Sequence, residues 1–395
     1  METPLDLAAT ARRFWLPAAV CVALLSVAYV RTAAGTSHGS PWGYRTWAFG
    51  ALAYSDILAL HEDRGATRHG VPYLQDKIEY PVLLGLGMWW PSVLAPASPG
   101  YFAVTFAALS LCALLTLFIL CSLPGASPWI WAASPSLLVY AGLNWDLFGI
   151  LPLAAGIWLW ARGRPRAAAA LLSLAVWTKF FPVLVLGVLL LLALRQGLRA
   201  ALELLAIFAL VTLALNLPFA LLARENWLEF FRYNRVREIE PSLYLLAGRD
   251  PRGFAPTANA ISALVTLAAA AAIAALELRT RRVDPLKAAC ALVCVFFAVN
   301  KVYSPQYWLW VVALLAFAAA PAILATATSC LAVADYVVSF SFLHLQSDRA
   351  WPQVRWFADS IFWPTVGLRY AALLACAGWA FSRILLRYKG PHVRT

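Results

Sequence analysis

The side chains best suited to moving a proton cluster between Tyr54 and Pro81. Asp56, Glu62, Asp63, Asp76 and Glu79 stand there with His61 and His69, beside the cations Arg64, Arg68 and Lys77. A carboxylate in such a stretch can act as general base toward a hydroxyl, and a cation can hold a departing phosphate. Further polar groups punctuate an otherwise apolar chain: Asn144-Trp145-Asp146, Lys179 within Thr178–Pro182, Lys301 within Asn300–Tyr307, Asp335, and His344 near a third polar segment, His344–Asp359.

Each of these has a plainer reading beside the chemical one. Asp56 follows Ser55 and precedes Ile57-Leu58-Ala59-Leu60, so it also suits a helix N-terminus, where a carboxylate meets the positive end of the dipole. Glu79 suits a cap for the next apolar run or a partner for Lys77, and Asp146 suits a cap as well. Glu62 and Asp63, next to Arg64, suit a solvated face. Lys179 lies between two short apolar runs, where a charge is costly unless paired or wet; a phosphate would satisfy it, and so would snorkelling to an interface. Lys301 is similar, and Ser304-Pro305 would break a helix and bring backbone donors and Gln306 into a cavity. Tyr303 and Tyr307 could stack on a sugar or simply sit in an interfacial aromatic belt. His344 reads as a polar wall residue. Asp335, inside an apolar run, must face the protein interior. His61 and His69 lack a clean ligand spacing with the nearby acids, so no metal and no other cofactor is expected.

These groups need a scaffold, and composition supplies its class. With 62% hydrophobic residues, 13% charged residues and a mean hydropathy of +0.73, the chain cannot hide its apolar surface in a soluble core. An all-α polytopic membrane protein is expected. The net charge of +12 lies in short loops between apolar runs, the pattern that orients membrane proteins, and does not indicate nucleic acid. All seven cysteines fall in apolar runs without a C-x-x-C pair and read as packing residues. No glycine-rich nucleotide-binding string is present.

Arg12 and Arg13 precede the first run, about Phe14 to Val30, read as a retained signal anchor with a cytoplasmic N-terminus. A cleaved signal peptide is the alternative, disfavoured by Arg31 and by the many runs that follow. The basic loops Ala161–Arg166, Arg195–Arg199 and Arg279–Arg282 and the basic C-terminus are expected to be cytoplasmic, in a multi-pass protein of the cell membrane. Segments 54–81, 224–257, 300–306 and 344–359 then share the outer face, with 34–79 as a first and 224–257 as a second extracytoplasmic loop of one domain, 1–395. Between Arg13 and Arg162 the apolar runs are odd in number although both ends read as cytoplasmic, so one run must be re-entrant or doubled. The whole gives about 11 to 13 membrane helices, on the ~20 residues that a straight crossing wants. The loop Asn226–Glu238 mixes aromatics with Arg232, Arg235 and Arg237, suiting an amphipathic helix on anionic headgroups or a wall for a lipid acceptor.

Tyr54-Ser55-Asp56, Ile78-Glu79-Tyr80-Pro81, Asn144-Trp145-Asp146, Thr178–Pro182 and Lys301–Tyr307 occur in an order that resembles the signature strings of the family 87 integral-membrane glycosyltransferases, which have the GT-C architecture and include actinobacterial polyprenol-phosphate-mannose-dependent alpha-mannosyltransferases. The resemblance implies a catalytic base at Asp56 and an inverting single displacement from a lipid-phosphate sugar, with mannose as the sugar. A second acid is not marked, leaving Glu79 and Asp146 as candidates. Lys179 and Lys301 are expected to hold the donor phosphate. Tyr80, Asn144, Tyr303, Gln306, Tyr307 and His344 are expected along the sugar and lipid. The expected partners are a polyprenyl-phosphate sugar, a lipid-linked or glycan acceptor, and membrane lipids. Alternatives are a lipid-linked-sugar flippase or transporter, which should show broken helices at the midplane or a line of intramembrane charge, and a ligase that uses a lipid diphosphate, for which the Arg232-to-Arg237 cluster speaks.

Overall fold

The computed structural model describes residues 6–38, 41–64, 70–348 and 351–385. Among these the chain is helical throughout, with only isolated bridges such as Val283 to Leu385 in extended pairing. Among the described residues six helices are long and apolar enough to cross a membrane; the protein is an α-helical membrane protein.

The first half runs as α1 (Leu7–Ala33), α2 (Pro41–Gly50), α3 (Asp56–Arg64), α4 (Val82–Leu94), α5 (Ser98–Ser122), α6 (Pro128–Ala132), α7 (Ser136–Tyr140), α8 (Leu147–Ala161), α9 (Pro165–Val176) and α10 (Val183–Ala193). The second half continues as α11 (Leu198–Leu222), α12 (Arg224–Trp227), α13 (Glu229–Val236), α14 (Leu243–Leu246), α15 (Ala255–Thr280), α16 (Pro285–Val299), α17 (Tyr307–Phe317), α18 (Ala322–Asp348), α19 (Trp351–Phe357) and α20 (Trp363–Ser382).

Two arginines on α1 mark the two ends of the bundle. Near its start, Arg13 donates to the carbonyls of Cys121 (2.8 Å), Leu123 (3.1 Å) and Ala126 (3.2 Å), closing the orphan C-terminus of α5. Near its other end, Arg31 donates to the carbonyls of Leu52, Leu138 and Val139 and to the Tyr336 hydroxyl. The apolar stripe between them, with Cys21, Leu25 and Ala28, is buried, so α1 is part of the packed bundle.

The odd run of the sequence is α4. It starts where Leu83 N donates to the Trp177 carbonyl (2.9 Å) and finishes against α5, where the Tyr101 hydroxyl donates to the Met88 carbonyl (2.9 Å). Ser98, at the start of α5, meets His61 Nδ1 at 3.1 Å. Both ends of α4 therefore lie at the Arg31 end, and it doubles back rather than passing through. The run from Trp129 to Gly142 does pass through, as α6 and α7, interrupted around Pro135. It leaves from Ala126 beside Arg13 and arrives at Leu138 and Val139 beside Arg31.

At the centre lies α17, buried from Trp308 to Phe317. Its length of 11 residues is shorter than a crossing wants, and a ring of other helices covers it. By contrast α11 and α15 expose Leu205, Leu210, Leu213, Leu264 and Leu267 along their outer faces. An apolar face of that extent belongs against hydrocarbon.

Candidate functional site

At the Arg31 end three helix starts converge, those of α3, α8 and α10. Ser55 prepares the first. Its hydroxyl donates to the Gly142 carbonyl (2.6 Å) and accepts from Ile57 N (3.2 Å), while the Asp56 amide donates to the Leu143 carbonyl (2.7 Å). With Ser55 serving the amide of α3, the Asp56 carboxylate turns elsewhere: its Oδ2 accepts from Asn144 Nδ2 at 2.8 Å, and the Tyr54 hydroxyl bonds the same group. The side chain keeps partial exposure.

Burial raises the Asp56 carboxyl above the usual carboxylate range. The hydrogen bonds from Asn144 and Tyr54 and the charge of Lys179 pull the other way, and the neighbouring charge of Asp146 adds to the rise. A carboxylate so placed is a stronger base than one in water.

Asn144 is the junction. Its Nδ2 also lies 3.4 Å from the Tyr80 hydroxyl, and its Oδ1 accepts from Trp145 N (2.7 Å) and faces Lys179 Nζ at 3.4 Å. Lys179 Nζ stands 3.4 Å from Asp146 Oδ2. The ring centroids of Tyr80 and Tyr307 lie 5.3 Å and 6.0 Å from the ammonium, within the range of cation–π attraction. Asp146 is fully buried at the start of α8 but caps no amide there; its Oδ1 accepts from the Trp310 indole at 2.6 Å. Asp56, Asn144, Tyr80, Asp146, Lys179 and Tyr307 thus form one connected group around a single cation.

Beside this group a groove of about 450 Å³ opens between α4, the start of α8 and the turn after α9, lined by Leu83, Leu86, Trp89, Trp90, Phe148 and Thr178. Its wall is mostly hydrocarbon and ends one residue from Lys179. A second cavity of about 420 Å³, with Trp160, Arg164, Arg166 and Glu203, lies on α8 to α11 at the Arg13 end, away from Asp56.

The remaining sequence candidates are distributed around the connected group. Glu79 lies within electrostatic reach of Tyr73 and Tyr80. It does not cap α4, whose cap position is Pro81 with no side-chain bond. Lys301 is buried and donates from Nζ to the Arg237 carbonyl at 2.6 Å, rather than contacting Asp56 or Lys179. Gln306 is buried at the start of α17. Tyr307 stacks on Phe297, with centroids 4.8 Å apart. Tyr303 is buried on the far side of α17, under the Arg369 guanidinium at 4.8 Å. His344 packs against Gly50, on the turn of α18 beyond Phe340, whose ring meets Tyr54 at 5.4 Å. His69 and Arg68 fall outside the described residues, and among the described residues no group of three or more His, Cys, Asp or Glu side chains is placed to hold a metal.

The structure adds residues that sequence reading did not single out. Trp310 fixes Asp146, and Arg31 ties the turn before Asp56 to α7 and α18 through Leu52, Val139 and Tyr336. Arg237, named before only as one of a basic cluster, ion-pairs with Glu240, faces the Tyr233 ring at 5.5 Å, and lies within electrostatic reach of Tyr80 and Tyr307. Arg369 and Trp308 are likewise new: the interior-facing Asp335 expected from the sequence is buried against Arg369 in a two-pronged ion pair and accepts from the Trp308 indole at 2.9 Å.

Comparison with protein-family models, curated proteins and solved structures finds no match to this chain.

Proposed function

We propose that the protein is a glycosyltransferase that moves a sugar from a polyprenyl-phosphate donor to a hydroxyl of a lipid or glycan acceptor. One observation carries this reading: a partly exposed carboxylate, Asp56, shares a single asparagine with a buried lysine, Lys179, whose chain neighbour Thr178 lines an apolar groove. A base for a hydroxyl, a cation for a phosphate and a trough for an isoprenoid tail are the parts such a transfer needs.

In this reaction Asp56 takes the proton of the acceptor hydroxyl as its oxygen attacks the anomeric carbon. The bond from that carbon to the phosphate oxygen breaks on the opposite face, inverting the centre, and the phosphate leaves with the electron pair. Lys179 faces the growing negative charge while Asp146, held by Trp310, keeps the ammonium aimed. Tyr80 and Tyr307 offer aromatic faces beside it. The basic loops at the Arg13 end support an orientation with that end in the cytoplasm and Asp56 on the outer side of the cell membrane. A donor already anchored in lipid suits a face without nucleotide-activated sugars. Mannose as the sugar rests on the resemblance of the five sequence strings.

The test is transfer of labelled sugar from polyprenyl-phosphate mannose in membranes carrying the protein, with Asp56→Asn beside wild type. A labelled product that disappears in a variant still made and inserted supports the reading. Absence of transfer from any polyprenyl-phosphate sugar, with a change in the leaflet that holds the lipid, would replace it with transport.

A further inference from the structure

Lys301 was the natural second cation for a donor phosphate, yet its ammonium is engaged by a backbone carbonyl. Burial and the nearby Arg237 charge lower its affinity for a proton, and the carbonyl it holds is that of Arg237 itself. Four residues on, Arg369 Nη1 donates to the Pro241 carbonyl at 3.0 Å. Glu240 N donates to the Lys301 carbonyl at 3.1 Å, and Ile239 N to the Pro251 carbonyl at 2.9 Å. The segment from Arg237 to Pro241 is therefore pinned at both ends by buried cations of the bundle. Such fixing of a loop segment serves the side chain it carries.

That side chain is the Arg237 guanidinium. It is held by Glu240 three residues away and by the face of Tyr233. The hydroxyls of Tyr80 and Tyr307 lie within its electrostatic reach, and their rings are the two that flank Lys179. The two bonds between Lys301 and the loop, to the Arg237 carbonyl and from Glu240 N, hold Arg237 against the segment that leads into Tyr307, whose ring lies 6.0 Å from Lys179 Nζ. The exposed part of the pair is modest but real, with a quarter of the Arg237 side chain and about a third of the Glu240 side chain accessible.

We propose that Arg237 is the second phosphate-binding cation of the site, that Glu240 occupies it until a lipid phosphate arrives, and that Lys301 and Arg369 are positioning residues for that loop. The inference rests on the glycosyltransferase reading and names the ligand group of its donor: a phosphate monoester or diester at the head of a polyprenyl chain. A guanidinium presents two parallel N–H groups to two phosphate oxygens in a fixed plane, where a lysine acts as a point charge. The ion pair with Glu240 keeps it from binding other anions and must open when phosphate binds.

The experiment measures binding of a polyprenyl monophosphate, and of the matching polyprenol, to the purified full-length protein in lipid nanodiscs. Wild type should prefer the phosphate. Arg237→Gln should weaken phosphate binding by about tenfold, the scale of one lost charge-assisted contact, and leave polyprenol binding unchanged. Arg237→Lys should recover part of the loss. Glu240→Ala should act in the opposite direction and tighten phosphate binding, because the competing carboxylate is gone. Lys301→Met should weaken phosphate binding in the Arg237 background of wild type but not in Arg237→Gln. If Arg237→Gln binds phosphate as wild type does, or if Glu240→Ala weakens binding as much as Arg237→Gln, the pair is only a structural tie and the proposal is overturned while the function stands. If wild type does not distinguish phosphate from polyprenol, the function itself fails and the role of Arg237 fails with it.

Discussion

Trp308 and Trp310 stand two positions apart on α17, and each gives its indole N–H to a buried aspartate that already faces a cation. Trp308 serves Asp335, paired with Arg369; Trp310 serves Asp146, which faces Lys179. Two positions on an α-helix point about 200° apart, so one buried helix anchors charge pairs on opposite sides. One pair belongs to the cluster around Asp56. The other reaches the Pro241 carbonyl through Arg369 and so fixes the loop that carries Arg237. Indole donors satisfy carboxylate oxygens that would otherwise be costly in an apolar core.

Asp56→Asn should separate activity from stability. The amide keeps an oxygen for Asn144 Nδ2 but cannot take a proton, so transfer should fall by about 10²- to 10⁴-fold, the usual worth of a general base. Burial disfavours the charged form at this position, so removing the charge should raise the midpoint of thermal unfolding. Activity assays and a thermal shift on the same preparation check both. A variant as active as wild type would remove Asp56 from the mechanism.

The pH dependence follows from the same carboxyl. Because its folded-state value is raised, transfer should be lost as pH falls through that raised value, where the base becomes protonated. Stability should move the other way: the folded state binds the proton more tightly than the unfolded chain, so the contribution of this group improves as pH falls between the two values. Asn144→Ala removes a bond that favours the carboxylate, and its acid limb should therefore shift to higher pH. A shift to lower pH would contradict the role given to Asn144.

The sequence revealed the class of the fold and the polar strings, because a membrane helix must be apolar and every exception stands out. Asp56, Asn144, Asp146 and Lys179 were visible as such exceptions, and the structure joins all of them within one network. What they join was not visible. Asp146 suited a cap, but Trp310, over 160 residues along the chain, draws it inward, and no local pattern encodes that pairing. Lys301 matched Lys179 in its setting, yet a carbonyl from the distant 224–257 loop engages it. The re-entrant run showed only as a parity problem, because α4 is one of several short apolar helices of similar length. The burial of Asp335 was legible from its cost, whereas its partner Arg369 lies over thirty residues along the chain and was not singled out.

The Asp335–Arg369 pair should behave as a buried ion pair whose halves cannot be removed singly. Arg369→Met leaves a buried carboxylate with only the Trp308 indole, and Asp335→Leu leaves a buried guanidinium with the Pro241 carbonyl. Either change should cost about 3–5 kcal/mol. The double variant should recover most of that loss, since two apolar side chains pack where two charges were. Thermal unfolding of the four proteins gives the coupling directly. Additive losses would show that the charges do not depend on one another.

Gly149 offers a way to disturb the site without touching its polar residues. It lies on α8 one turn from Asp146, and a Cβ there would come within 2.7 Å of Trp310 Cη2 and 3.1 Å of the Thr178 hydroxyl. Gly149→Ala must therefore push the indole away from Asp146 Oδ1, or move α8 from α17. Overpacking of this kind costs about 1–3 kcal/mol, and a displaced Asp146 no longer aims Lys179, so transfer should fall along with stability. Adding Trp310→Phe removes the clash but also the indole donor to the buried Asp146, so it should relieve only part of the stability loss and leave activity low. Gly187→Ala on α10, where a Cβ meets no atom within 4 Å, is the control and should change neither. If Gly149→Ala transfers sugar at the wild-type rate, the tie from Trp310 through Asp146 to Lys179 is not needed for the reaction.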